Sequence, residues 1–229
     1  MDDQNNDLMW RDTEAGRVPI SARYDDPYYS LDNGLAETDH VFVAGNDLLR
    51  RFDQPLHIAE LGFGTGLNFL ATVRSWRAAG YQKPLTFTSF ECYPLTRDDA
   101  EVALLAFPEI KPFSADLLAI WDAAMAGTAA YSDLITLHVV TGDVRETLPI
   151  WTGRADAWFL DGFSPAKNPD MWEAPLMQAV ADHTKAGGTL ATYTAAGHVR
   201  RALEEAGFAI TRTPGFGRKR HMTRGVLAS

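Results

Sequence analysis

Four carboxylates stand where a folded chain could put them to chemical use. Glu60 opens the run Glu60-Leu61-Gly62-Phe63-Gly64-Thr65-Gly66-Leu67-Asn68, in which glycine recurs at every second position. Such glycines let the backbone turn sharply and approach a ligand with no side chain between them. Glu91 closes a second apolar run, where a carboxylate can take both hydroxyls of a ribose. Asp143, in Thr141-Gly142-Asp143-Val144, follows a third, where an acid can accept from an adenine amino group. Asp161 closes a fourth, Trp158-Phe159-Leu160-Asp161, and opens a stiff loop that continues Gly162-Phe163-Ser164-Pro165-Ala166-Lys167-Asn168-Pro169. An aliphatic ammonium has a pKa of ~10 and cannot attack an electrophile until a proton leaves. A partly desolvated carboxylate can hold that ammonium and take or relay the proton. Each acid alone also fits a helix cap or a turn, Asp161 as the N-cap of a helix starting near Pro169 or Met171. Their succession at consecutive strand ends favours a site.

Strands that end side by side must position these groups. Leu56, Ile58, Ala59 and Leu61 suit a buried parallel strand, and Leu67, Phe69, Leu70 and Val73 recur at helical spacing. Further strands are predicted over 85–91, 135–140, 155–161 and 188–193, the last after a Gly187-Gly188 turn. A helix over 196–206 stops at Gly207, and 208–213 with 222–227 can close the sheet as an antiparallel pair. The class is α/β: a Rossmann-like, mostly parallel seven-stranded sheet with an antiparallel last strand. Residues 1–54 form an N-terminal extension packing on the core, and 55–229 form the Rossmann-like domain. Over forty residues separate Glu91 from Ile135, long for one crossover. They hold a predicted helix near 97–106 and a helical insertion near 107–132, marked by Leu117, Leu118, Ile120, Trp121 and Met125. That insertion reads as a small lid or packing appendage, with Trp121 in the core.

Composition narrows the class. A chain of 229 residues can bury a sizeable core as one domain. No run of 18 apolar residues is present, and the acidic, polar residues 1–7 suit neither a signal peptide nor a membrane span. A single cysteine, Cys92, excludes an internal disulfide and a cysteine-based zinc site, and the expected compartment is cytoplasmic. His40, His57, His138, His183, His198 and His221 show no paired helical spacing, so no metal is expected. The net charge is −9, yet residues 198–229 carry Arg200, Arg201, Arg212, Arg218, Lys219, Arg220 and Arg224 against Glu204 and Glu205. Such polarity fits a polyanion footprint or, equally, a solvated rim.

The glycine spacing selects among cofactors. A dinucleotide loop has G-x-G-x-x-G; here the third glycine comes one residue early and Glu60 stands two before the first. The pattern resembles the first motif of class I S-adenosylmethionine-dependent methyltransferases. That cofactor has no phosphate, only an amino-acid end whose ammonium favours a nearby carboxylate; a dinucleotide or a plain tight turn are the alternatives. The runs ELGFGTGLNFL (60–70), WFLDGFSPAKNPDMW (158–172), TYTAAGHVRRALEEAGF (192–208) and PGFGRKRHM (214–222) are more specific. With DDPYYS (25–30) and GLAETDHVF (34–42), they resemble the methyltransferase domain of MnmC, the bifunctional tRNA 5-methylaminomethyl-2-thiouridine biosynthesis protein.

The likeness covers nearly the whole chain. It implies methyl transfer from S-adenosylmethionine to the primary amine of 5-aminomethyl-2-thiouridine at the wobble position, in the anticodon loop of tRNA. By that resemblance Asp161 is catalytic and also lines the cofactor pocket. Glu60, Gly62, Gly64, Gly66, Asn68, Glu91 and Asp143 complete that pocket, with Phe63 and Thr65 between the glycines. Phe163, Lys167 and Asn168 are candidate substrate contacts. Arg218, Lys219 and Arg220, presented by Gly215-Phe216-Gly217, are candidate phosphate contacts. A splayed wobble base calls for an aromatic partner, with Phe163, Tyr28, Tyr193 and Phe216 as candidates. Two departures stand out. The bifunctional family continues into a flavin-dependent oxidase domain whereas this chain stops at Ser229, as expected of a stand-alone form or an excised domain. His221 also stands where the resemblance puts an acid. Other readings of the residues are an amine N-methyltransferase for small molecules or proteins, and a non-catalytic adenosylmethionine-binding partner protein.

Overall fold

The computed structural model describes residues 8–13, 16–80 and 83–228; the acidic start, residues 1–7, lies outside them. The chain begins with a small antiparallel sheet of β1 (Leu8–Thr13), β2 (Gly16–Ser21) and β3 (Asp26–Pro27). Helix α1 (Gly34–Thr38) follows, capped by Asn33, whose side chain accepts from the Ala36 N–H at 2.9 Å. The main sheet and its helices then alternate: β4 (Leu56–Leu61), α2 (Leu67–Ala78), β5 (Leu85–Glu91), α3 (Arg97–Leu104), α4 (Lys111–Ala119) and α5 (Trp121–Met125). Next come β6 (Thr128–Ser132), β7 (Ile135–Thr141), α6 (Val144–Thr147), β8 (Ala155–Leu160), α7 (Ala174–Asp182) and β9 (Thr184–Thr192). Helix α8 (Gly197–Glu205) and the hairpin β10 (Phe208–Pro214)–β11 (His221–Leu227) end the fold.

The main sheet has the order β10-β11-β9-β8-β4-β5-β7-β6. Its centre is parallel, while β11 runs antiparallel to both neighbours and β6 antiparallel to β7. Strand parity sets the two cores, because successive side chains face opposite sides of a sheet. Ile58, Phe87 and Phe159 pack with Phe69, Leu70 and Val73 of α2 on one side. Ala59, Leu61, Trp158 and Leu160 pack with Leu176 and Val180 of α7 and Val199 and Leu203 of α8 on the other. Burial on both faces explains the near-continuous apolar runs. From β4 the chain proceeds to β5 on one side, and β8 lies on the other. The β4 and β8 ends therefore flank the point where strand order reverses, the usual crevice for ligands in such sheets.

Three local expectations change. Among the described residues the main sheet has eight strands rather than seven, because 128–132 is an edge strand with alternating exposure rather than helix. In its Thr-Ala-Ala-Tyr-Ser sequence only Thr128 and Tyr131 favour a strand, and the pairing with β7 supplies the rest. Gly187-Gly188 is not a turn: β9 starts at Thr184 and absorbs the glycines in an irregular stretch of its pairing with β8, with Gly187 at φ +71°. Helix α7 starts at Ala174 after a short 3-10 turn over Pro169–Trp172, whose flanking residues are Asn168 and Glu173. Asp161 therefore caps neither.

Candidate active site

The ends of β4, β5, β7, β8 and β9 open onto a cleft of about 520 Å³. Gly62, at φ +92°, closes β4 against β8: a Cβ there would lie 2.7 Å from the Asp161 carbonyl oxygen. Phe63, Gly64, Thr65 and Asn68 continue the wall. Gly66 does not reach it; at φ +78° it is the N-cap of α2, where a Cβ would strike Leu117 Cδ2 at 2.7 Å. Glu91 lines the cleft and organises the loop, its Oε2 accepting from the Gly64 N–H at 3.0 Å and its Oε1 from the Tyr93 N–H at 2.7 Å. Burial raises its pKa, and the backbone donors oppose that rise. Asp143 lines the same half of the cleft, and its carboxylate is shared. It caps α6 by accepting from the Arg145 N–H at 2.9 Å and pairs with the Arg145 guanidinium, which also holds Asp170 at 2.8 Å.

The centre of the site is a chain of side chains running through Asn68. Glu60 ends β4 beside Ser89 of β5, and Ser89 Oγ donates to its Oε2 at 2.6 Å. Asn68 Nδ2 donates to Glu60 Oε1 at 2.8 Å and to Asp161 Oδ2 at 2.6 Å. Thr38 Oγ1 of α1 donates in turn to Asn68 Oδ1 at 2.7 Å. Glu60, expected from the sequence to line the cofactor pocket, is 0% exposed and lies behind this amide, outside the cleft wall. Burial pushes the Glu60 carboxyl up to about 8 against the bonds from Ser89 and Asn68. Asp161 faces the cleft with its carboxyl pushed up to about 7. Burial is the main cause, with Asn68 and Lys219 opposing it and the Glu37 charge reinforcing it. A carboxylate of that basicity is matched to proton transfer near neutral pH.

Asp161 divides the cleft. Glycine loop, Glu91 and Asp143 follow β4, β5 and β7 on one side; Tyr193, just after β9, lies on the other, its hydroxyl donating to the Gly162 carbonyl at 2.7 Å. Also lining the cleft are Glu37 of α1 and Lys219 of the β10–β11 turn, which pair at 2.7 Å. The sequence showed neither pairing nor place: Glu37 and Lys219 are 182 positions apart, and Lys219 reads as one of three like charges.

The basic triplet does not point one way. Lys219 turns inward to Glu37, whereas the Arg218 side chain is 93% exposed and Arg220 is exposed too. Lys167 also stands outside the cleft wall, reaching the Asp25 carbonyl and, at 3.2 and 3.7 Å, the Asp25 and Asp26 carboxylates. With the Ser164 N–H donating to Asp26 at 2.8 Å, it ties the β8–α7 loop to the N-terminal segment. Asn168 lines the cleft. Phe163 lies between Tyr24 and Tyr28, centroids 4.9 and 5.2 Å away. Phe216 sits 6.0 Å from His40. Trp121 is buried beside Phe63, its indole N–H donating to the Leu95 carbonyl at 3.2 Å.

S-adenosylmethionine fits the glycine-loop half. The volume of the whole cleft is within the roughly 300–1,000 Å³ of small-molecule sites. The backbone there approaches without side chains, and Glu91 keeps lone pairs for ribose hydroxyls. Among the described residues no helix is long and apolar enough to cross a membrane.

Comparison with known proteins agrees with this geometry. Residues 108–228 match a family described as S-adenosyl-L-methionine-dependent methyltransferase. The chain is 45% identical over 99% of its length to the tRNA 5-methylaminomethyl-2-thiouridine biosynthesis bifunctional protein MnmC of Stutzerimonas stutzeri, and 43% identical over 97% to that of Chromobacterium violaceum. It spans 35% and 34% of those proteins, about a third of their length. The crystal structure of MNMC2 from Aquifex aeolicus superposes with a TM-score of 0.82 at 24% identity, covering 97% of this chain and 71% of that one, and so shares the fold. With its Rossmann-like sheet, glycine loop and matched sequence, the chain belongs to the S-adenosyl-L-methionine-dependent methyltransferase family.

Proposed function

We propose that this enzyme methylates the primary amine of 5-aminomethyl-2-thiouridine at the tRNA wobble position, in the cytoplasm, yielding 5-methylaminomethyl-2-thiouridine. The observation that carries the reading is Asp161: a carboxylate with its pKa pushed up to about 7, held by Asn68 on the border between the two halves of the cleft. The names of the curated relatives supply the nucleoside.

S-adenosylmethionine, when bound, supplies an electrophilic methyl group. The chain's own residues do the rest. Glu91 and the glycine loop hold the cofactor, with Asp143 at the end of that half. Asp161 accepts the proton that leaves the substrate ammonium, and Asn68 fixes which carboxylate oxygen is tied back and which faces the cleft. Glu60, buried and bridged to Ser89, fixes Asn68 in turn. Tyr24, Tyr28 and Phe163 give the mouth an aromatic wall against which a splayed base can stack. Arg218 at the rim of the cleft and Arg220 beyond it stand where an RNA backbone would pass. Orientation of the amine towards the methyl group contributes much of the remaining acceleration.

The test is transfer of labelled methyl from S-adenosylmethionine to three acceptors: tRNA bearing 5-aminomethyl-2-thiouridine, the same tRNA bearing 2-thiouridine, and the free aminomethyl nucleoside. Label in the first alone, or far faster there than in the nucleoside, is expected. Label in the nucleoside but not in tRNA would replace this reading with a small-molecule amine methyltransferase.

A further inference from the structure

The half of the cleft beyond Asp161 holds an ammonium group already, and it belongs to the chain. Lys219 Nζ lies 2.7 Å from Glu37 Oε1 and 4.1 Å from the centre of the Tyr193 ring. Glu37 is well covered, its side chain 11% exposed, and α1 fixes it through the Asn33 cap. Tyr193 is fixed at its other end by the hydroxyl bond to Gly162, the residue after Asp161. A carboxylate, an aromatic face and a second carboxylate within electrostatic reach are the groups that recognise an aliphatic ammonium. Glu37, Tyr193 and Lys219 line the same cleft as Asp161, and the Tyr193 hydroxyl bonds the residue next to it, so this cage shares the cleft with the proposed base.

We infer that Glu37 and the face of Tyr193 form the subsite for the substrate's ammonium group, and that Lys219 fills it as a tethered stand-in displaced by the incoming amine. The inference rests on the amine-methylation reading above and adds the residues that would select the amine. Place and charge both support it. Tyr193, the aromatic face of the cage, follows β9, on the other side of Asp161 from the β5 and β7 ends that carry Glu91 and Asp143. One monocation leaves as another enters, so the covered Glu37 carboxylate keeps a partner as the substrate binds, and the cost of an unpaired buried charge is avoided at that step. Lys219 can leave: its side chain is 44% exposed, on a turn with Gly217 at φ +57°, and outside it would join Arg218 and Arg220. The triplet would then face RNA as a unit only when the amine has entered.

Lys219→Ala tests this without reliance on RNA. The probe is methylammonium chloride, with sodium chloride as the ionic-strength control, followed by amide NMR shifts in the whole chain. A tethered group competes at an effective concentration in the millimolar range, so the variant should bind methylammonium saturably and roughly 10-fold more tightly than the wild type. The shifts should centre on Glu37, Tyr193 and Asp161, and adding Glu37→Gln should abolish them. S-adenosylmethionine affinity, unchanged in both variants, reports that each is folded. No saturable methylammonium binding by a Lys219→Ala chain that still binds S-adenosylmethionine would overturn the proposal. So would Glu37→Gln losing S-adenosylmethionine with its NMR fold intact, since Glu37 would then serve the cofactor. A second arm compares anticodon stem-loops carrying 5-aminomethyl-2-thiouridine or 2-thiouridine. Lys219→Ala should raise the preference for the aminomethyl RNA several-fold. If methylammonium binds as stated while the two RNAs bind alike, the ammonium subsite stands and the tRNA reading fails.

Discussion

Replacing Asn68 by alanine should move the acid limb of the pH–rate profile upward. Asn68 Nδ2 donates to Asp161 Oδ2 at 2.6 Å, a bond that favours the ionised carboxylate against the burial and the Glu37 charge that raise its pKa to about 7. A hydrogen bond to a charged group contributes about 1.5–3 kcal/mol. At about 1.36 kcal/mol per pKa unit, its loss moves the limb up by about 1–2 pH units, the smaller figure if water replaces the amide. A reaction that needs ionised Asp161 then slows about 5- to 50-fold at pH 7, where the wild-type carboxyl is itself only half ionised, and recovers towards the wild-type rate from about pH 9 upward. The assay is single-turnover methyl transfer to aminomethyl-bearing tRNA, with cofactor and RNA saturating. The amine's own titration is common to both proteins and cancels in the ratio of their rates. Calorimetry with S-adenosylmethionine at each pH checks that the pocket survives the loss of the bonds to Glu60 and Thr38. A limb that stays in place would refute the claim that Asp161 ionisation gates the rate. A loss of equal size at every pH would reduce Asn68 to a spacer.

Three further outcomes are expected. Gly64→Val places a branched side chain at φ +53° with its Cβ 3.2 Å from Tyr28 Cδ1, so strain of about 1–3 kcal/mol should cut S-adenosylmethionine affinity about 10-fold or more; calorimetry that finds NAD binding to the wild type and no S-adenosylmethionine binding would contradict the cofactor half. Arg218→Ala with Arg220→Ala should weaken tRNA binding and flatten its log–log salt slope by up to ~1.4–1.8, with cofactor affinity unchanged; an unaltered slope would leave the pair as a solvated rim. Glu60→Gln should alter the pH dependence of stability. The folded-state pKa of about 8 is raised, so its stabilising contribution is complete below about pH 4.5 and is lost as pH rises towards 8. Removing the titratable group should therefore make the fall in urea midpoint between about pH 5 and 8 shallower, and an unchanged fall would place the proton elsewhere.

Much of this site was legible because its parts are local. The glycine run, the strand it follows and the helix it opens are contiguous, and the acids at 91, 143 and 161 mark strand ends by their position after apolar runs. What stayed hidden is tertiary. Glu60 carries the expected sequence signature yet sits behind Asn68, and only the register with Ser89 and the geometry of α2 show that the amide stands between it and the cleft. Lys219 was masked by its neighbours: in sequence three adjacent cations look alike, and only the turn and α1 send one of them inward. Strand β6 is short and its Ala129-Ala130 pair suits a helix as well, and the Gly187-Gly188 pair looks like a turn until β8 is seen to pair across it.

The most direct test of the account is Asp161→Asn in single-turnover methylation of tRNA bearing 5-aminomethyl-2-thiouridine, from about pH 6 to 10. Asparagine is nearly isosteric and can still accept from Asn68, so the fold and cofactor affinity should persist. It can neither balance the ammonium charge nor take its proton, so transfer should fall by roughly 10²-fold or more near neutral pH and recover in part at high pH, where free amine is abundant. A variant that matches the wild type across the whole range would show that Asp161 is not the base.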